Sequence, residues 1–174
     1  MKGIMVQGTS SDSGKSFLVT ALCRLLSDRG FRVCPFKSQN MSNNACVTRD
    51  GREMSRAQAV QAEAARLEPE TFMNPILLKP RRDVSSEIVL EGRALDTPAE
   101  RGYYRTFTRT LGIEAVRRAL RRIEERFDAV VIEGAGSPAE VNLRDNDIVN
   151  MRVARHLQAP VLLVADIDRG GALA

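Results

Sequence analysis

The stretch Gly8-Thr9-Ser10-Ser11-Asp12-Ser13-Gly14-Lys15-Ser16, close to the N-terminus, constrains the chain more than any other feature. An apolar run of strand length, Gly3-Ile4-Met5-Val6-Gln7, leads into it, and Phe17-Leu18-Val19-Thr20-Ala21-Leu22-Cys23-Arg24-Leu25-Leu26 follows with apolar residues at helical spacing. Strand, glycine-bounded loop, Lys-Ser and helix are the parts of a phosphate-binding loop. Glycine lets the backbone turn tightly, so that successive N–H groups point at phosphate oxygens. The helix N-terminus adds its partial positive charge at the same place. Gly8, Thr9, Ser13, Gly14, Lys15 and Ser16 are therefore the candidates for holding a nucleotide's phosphates. Lys15 suits the β- and γ-phosphates, and the Ser16 hydroxyl suits Mg²⁺. Five residues separate the two glycines, where the common pattern has four, so the loop is a variant.

The rest of the chain reads as alternating strands and helices. A first helix is expected from Ser16 to Asp28, with Phe17, Leu18, Ala21, Leu22 and Leu25 on one face and Gly30 as its stop. Phe31–Phe36 reads as a strand that delivers a polar, amide-rich loop, Lys37 to Asn44. Ser55–Leu67 reads as a helix, with Arg56, Gln58 and Gln61 available for polar contacts. Ile76–Lys79 is at most a short extended piece between prolines, Ser86–Leu90 is a strand, and Gly92–Thr110 is an irregular connection. Ile113, Val116, Leu120 and Ile123 give helical periodicity to about Arg126. Asp128–Glu133 is a buried strand closing on an acid, followed by Gly134-Ala135-Gly136. A polar loop, Ser137–Asp147, precedes a helix from Ile148 to Leu157 that Asp147 is placed to cap. Pro160–Ala165 reads as another buried strand, delivering Asp166-Ile167-Asp168-Arg169-Gly170-Gly171. This alternation predicts an α/β fold of three layers, a P-loop NTPase with a mostly parallel central sheet flanked by helices.

In such sheets ligands bind outside the carboxyl ends of the strands. The loops after the first, second and Glu133-bearing strands should then face one crevice. Glu133, an acid closing an apolar strand beside a phosphate loop, is with Ser16 the metal candidate. Lys37 is a catalytic and substrate candidate, a compact cation for a carboxylate or a transferring phosphoryl group. Gln39, Asn40, Asn43 and Asn44 are substrate-loop candidates, although Asn and Ser also favour turns for purely local reasons. Asp145, with no evident structural task, is added as a catalytic candidate.

Composition excludes several classes. The net charge is +4, with 26 Lys and Arg against 22 Asp and Glu, but the basic residues are dispersed. Arg117, Arg118, Arg121 and Arg122 form the one dense cluster, interleaved with Glu114, Glu124 and Glu125, and read as a solvated helix face. Two tyrosines and no tryptophan leave little for base stacking, which argues against nucleic acid. No apolar run approaches the ~20 residues of a membrane span. The single histidine, His156, rules out a His-rich metal site. Cys23 and Cys34 read as buried hydrophobes; an odd cysteine count without a secretory signal points to a reducing, cytoplasmic setting.

Several blocks carry a resemblance to a known family. The variant loop Gly8-x5-Gly14-Lys15-Ser16 is similar to that of the dethiobiotin synthetase-like ATP-dependent ligases. Pro35–Met41, Arg56–Ala65, Met73–Pro80, Glu133–Glu140, Asn142–Asp145 and Asp166–Gly171 narrow this further. Together they resemble the N-terminal synthetase part of the cobyric acid synthase family, over nearly the whole chain. The resemblance implies ATP and Mg²⁺ as cofactors and a carbon–nitrogen ligase with glutamine as amido donor. Its implied reaction is amidation of the b, d, e and g carboxylates of adenosylcobyrinic acid a,c-diamide, a corrinoid, in cobalamin synthesis. It implies Lys15 on the phosphates, Ser16 and Glu133 on Mg²⁺, and Lys37 on the substrate carboxylate and the transferring phosphoryl group. Nothing here matches the family's C-terminal glutaminase part. Residues 1–174 are expected to be one P-loop amidoligase domain, incomplete at its C-terminal end, with ammonia coming from a glutaminase domain of a longer chain. A homo-oligomer is compatible with the sequence. Related ligases remain as alternatives, of the cobyrinic acid a,c-diamide synthase or dethiobiotin synthetase type. So does a ParA/MinD-like ATPase switch, which expects a second lysine where Thr9-Ser10-Ser11-Asp12 stands.

Overall fold

The computed structural model describes residues 1–81, 86–95, 106–136 and 148–167. Four parallel strands form the main sheet: β1 (Lys2–Gly8), β2 (Val33–Phe36), β9 (Ala129–Glu133) and β10 (Val161–Val164), in the order β10-β1-β9-β2. Successive strand residues point to opposite faces. Val6, Val33 and Val131 therefore pack on one side, with Val19 and Cys23 of helix α1 (Lys15–Asp28). Met5, Cys34, Val130 and Ile132 pack on the other, with Val116, Leu120 and Ile123 of α3 (Ile113–Arg126) and Val153 of α4 (Met151–His156). This is the expected α/β fold, a parallel central sheet between helical layers.

A second sheet, not anticipated, has the order β3-β6-β7-β8: Gln39–Met41, Ile76–Pro80, Ser86–Leu90 and Arg93–Ala94. Part of the predicted amide loop is thus strand β3, which runs parallel to β6, while β6–β7 and β7–β8 are antiparallel. A small antiparallel ladder, β4 (Ala45–Val47) with β5 (Glu53–Ser55), leads into α2 (Arg56–Ala64).

Three expectations need correcting. On α1 the residues facing the sheet are Val19 and Cys23, flanked by Leu18, Leu22 and Leu26; Phe17 is 82% exposed and Leu25 44%. The helix carries two apolar stripes, and the one beginning at Phe17 is rotated to the outside. Strand β10 is not buried either: Val161, Leu162 and Leu163 are exposed, because β10 is the edge strand of the described sheet. The last helix also begins later than expected, at Met151; Asp147, its expected cap, lies outside the described residues. Among the described residues no helix is long and apolar enough to cross a membrane.

Cys23 and Cys34 are buried as expected, and burial pushes the Cys23 thiol up to about 12 and Cys34 well above its ordinary value. The Arg-rich face of α3 is tied down by carboxylates: Arg117 to Glu114, Arg118 to Glu91 and Arg126 to Glu70. Arg122 and Arg126 also lie over the Phe72 ring, which leaves this face ill-suited to a polyanion.

Candidate active site

Strand register decides which side chains meet. Val6 lies opposite Glu133, and Phe36 lies opposite Ile132, so the carboxyl ends of β1, β9 and β2 finish at one level. The loop after β1, the acid ending β9 and the lysine following β2 are thereby brought to a single edge of the sheet.

At that edge Glu133 is the hub. It is 1% exposed, and its Oε1 accepts from the Lys37 ammonium at 2.7 Å and from the Ser16 hydroxyl at 2.8 Å. Its Oε2 accepts from the carboxamides of Gln61 and Gln58, the latter at 3.3 Å. A carboxylate this deeply buried needs such partners, since an unpaired charge inside a protein is strongly disfavoured.

The loop around Lys15 is wound tightly. A Cβ on Gly8 would sit 2.1 Å from Ser13 Oγ and 2.8 Å from Lys15 Nζ, so any larger residue would push these two side chains out of place. Gly14 has φ 93°, in the left-handed region that glycine enters without strain. Lys15 Nζ donates to the Ser10 carbonyl at 2.7 Å and approaches Ser13 Oγ at 3.5 Å. The Thr9 N–H donates to Val164 O at 3.0 Å, tying the loop to the edge strand. Burial lowers the Lys15 pKa from its ordinary value, and the Lys37 ammonium lowers it further; Glu133 and Asp12 act in the opposite sense. The two lysines thus feel one another beside a single carboxylate, an arrangement that favours a polyanion between them.

Lys15, Ser16, Lys37 and Glu133, chosen from the sequence, converge on one spot, with Gly8, Thr9, Ser13 and Gly14 building its wall. Asn40 is turned to the start of α2, where its Nδ2 donates to Ser55 Oγ at 2.6 Å. Gln39 is half-buried on β3, and Asn43 and Asn44 are exposed on the turn before β4. Asp145 lies outside the described residues, as does the loop that carries it. Sequence reasoning noted Gln58 and Gln61 for polar contacts but did not assign them to the site. It missed Asn150, whose carboxamide grips the Gly134–Gly136 turn by accepting from Ala135 N at 3.0 Å and donating to Ala135 O at 2.8 Å. Asn74 was also missed: it accepts from Ser55 N at 3.1 Å and donates to Lys37 O at 3.0 Å, linking α2 to the Lys37 backbone.

Among the described residues no group of three or more His, Cys, Asp or Glu is placed to hold a metal ion. A thiolate- or imidazole-rich metal site is not what the described residues build. One buried carboxylate beside one hydroxyl is, however, a donor set that fits Mg²⁺, which takes one or two protein oxygens and completes its shell with water and phosphate.

The family described as the CobQ/CobB/MinD/ParA nucleotide binding domain matches residues 4–170. A cobyric acid synthase of Synechocystis sp. is 56% identical over 174 residues, covering 100% of this chain and 35% of the relative. One from Clostridium kluyveri is 52% identical over 174 residues, covering 100% and 34%. One from Dehalococcoides mccartyi is 56% identical over 173 residues, covering 99% and 34%. The chain spans about a third of the length of these curated relatives.

Proposed function

The chain belongs to the CobQ/CobB/MinD/ParA family of nucleotide-binding domains, and from that premise we propose that it is the ATP-using synthetase part of a cobyric acid synthase. The reaction is amidation of carboxylates of adenosylcobyrinic acid a,c-diamide to give adenosylcobyric acid. A carboxylate is a poor acylating agent. It attacks the γ-phosphorus of ATP, ADP leaves, and the resulting acyl phosphate is attacked by ammonia with loss of phosphate. The protein's share in such chemistry is positioning and charge stabilisation.

The observation that carries this reading is the sharing of one Glu133 oxygen by Lys37 and Ser16, with Lys15 alongside. Lys15 exchanges its Ser10 carbonyl for phosphate oxygens. Ser16 and Glu133 hold Mg²⁺, which when bound neutralises charge on the phosphates. Lys37 orients the substrate carboxylate and steadies the phosphoryl group in transit. Gln39, Asn40, Asn43, Asn44 and Asp145 serve the substrate side. Ammonia comes from a glutaminase domain of a longer chain, as the length of the relatives suggests. The apolar side chains left exposed on β10 support a further element of that chain covering this edge.

Phosphate release from ATP by the full-length protein, with and without the corrinoid and an ammonia source, tests the proposal. Release that requires both supports it. A corrinoid-independent ATPase would favour the ParA/MinD-like alternative, and turnover with another carboxylic acid a related ligase.

A further inference from the structure

Neither catalysis nor packing, as described so far, accounts for Gln58 and Gln61. Both are 0% exposed on α2, three residues apart and so on one helix face. A buried position is ordinarily filled by an apolar side chain, yet here two carboxamides are spent on one oxygen of one carboxylate. Gln58 Nε2 faces both Glu133 Oε2 and Gln61 Oε1; reversing its amide would bring three oxygens together, so its orientation is fixed. Gln58 Oε1 is then left buried without a hydrogen-bond partner among the described residues. An orphaned buried acceptor next to a carboxylate awaits a donor, and a metal-bound water is one.

The division of labour at Glu133 is explicit. Oε2 is held by the two glutamines and Oε1 by Ser16 and Lys37. The terminal torsion of a glutamate is broad, so an unheld carboxylate would swing. We propose that Gln58 and Gln61 are positioning residues that anchor Oε2, present Oε1 to Ser16 and so set the affinity of the site for a divalent cation. This rests on the reading of Glu133 as a metal ligand. Mg²⁺ demands near-ideal octahedral geometry, which makes ligand orientation consequential. Partners of a metal ligand commonly govern metal affinity in this way.

The test is Mn²⁺ binding by paramagnetic resonance in the full-length protein with a nonhydrolysable ATP analogue, alongside the affinity for the analogue without metal. Gln61→Met keeps the bulk of the side chain and removes its donor; it should weaken Mn²⁺ binding about tenfold and leave metal-free nucleotide affinity unchanged. Gln58→Met, which breaks a longer bond, should weaken Mn²⁺ binding about threefold and stands in if the first variant does not fold. Unchanged Mn²⁺ affinity in the folded variants overturns the proposal. So does an equal loss of metal-free and metal-dependent binding, which would mark the glutamines as packing alone. Glu133→Gln separates the two levels: if it does not weaken Mn²⁺ binding, it is the reading of Glu133 as a ligand that fails.

Discussion

Replacing Lys37 by Met leaves the Glu133 carboxylate buried without its cation, and the cost can be worked from the geometry. The pair is 2.7 Å apart, with side-chain exposures of 10% and 1%. At that separation and an effective dielectric constant of about 20, the Coulomb attraction is roughly 6 kcal/mol, much of it offset by desolvation. Breaking a buried pair by removing one partner typically costs about 3–5 kcal/mol. Ser16, Gln58 and Gln61 still donate to Glu133, which places Lys37→Met at the low end, about 3 kcal/mol. For a chain of this size that is a fall of roughly 6–12 °C in Tm. The assay is a double-mutant cycle by thermal and urea unfolding, using Lys37→Met, Glu133→Gln and the two combined. Removing both charges leaves none uncompensated, so the double variant should be no less stable than Lys37→Met alone. The reasoning is refuted if the two single losses simply add, within about 0.5 kcal/mol.

Two further outcomes follow from the loop. Gly8→Ala puts a Cβ 2.1 Å from the present Ser13 Oγ and 2.8 Å from Lys15 Nζ, so both side chains must move aside; with Lys15 displaced, nucleotide affinity by calorimetric titration should fall at least about tenfold, or ~1.4 kcal/mol. Lys15 has a folded-state pKa below that of the unfolded chain, mainly through burial, so in the window between them the unfolded state binds the proton more. Stability therefore rises with pH across that window, up to the ordinary lysine value of 10.5. Urea midpoints measured against pH should show this slope in the parent chain and lose it in Lys15→Met.

The glycine-bounded loop between β1 and α1 and the place of Glu133 at the end of β9 were legible because each is a local signal: glycines bounding a turn before a helix, and an acid closing an apolar strand. What escaped depended on packing between distant elements. Two apolar stripes on α1 satisfy the same periodicity, and only the sheet decides that Val19 and Cys23 go inward while Phe17 goes out. Apolar content cannot distinguish an edge strand from a central one, hence the error over β10. Gln58 and Gln61 look like ordinary helix formers in an Ala-rich run; their target is 75 and 72 residues away in sequence. Strand β3 was hidden for a similar reason, since its amides resemble a turn until β6 pairs with them.

The central claim is that the tips of β1, β2 and β9 grip one nucleotide and its metal. A crystal structure with Mg²⁺ and a nonhydrolysable ATP analogue tests it most directly. The account predicts the terminal phosphate between Lys15 and Lys37, with the metal on Ser16 Oγ and Glu133 Oε1. A nucleotide seated away from the Gly8–Ser16 loop, or a metal that touches neither Ser16 nor Glu133, would contradict it.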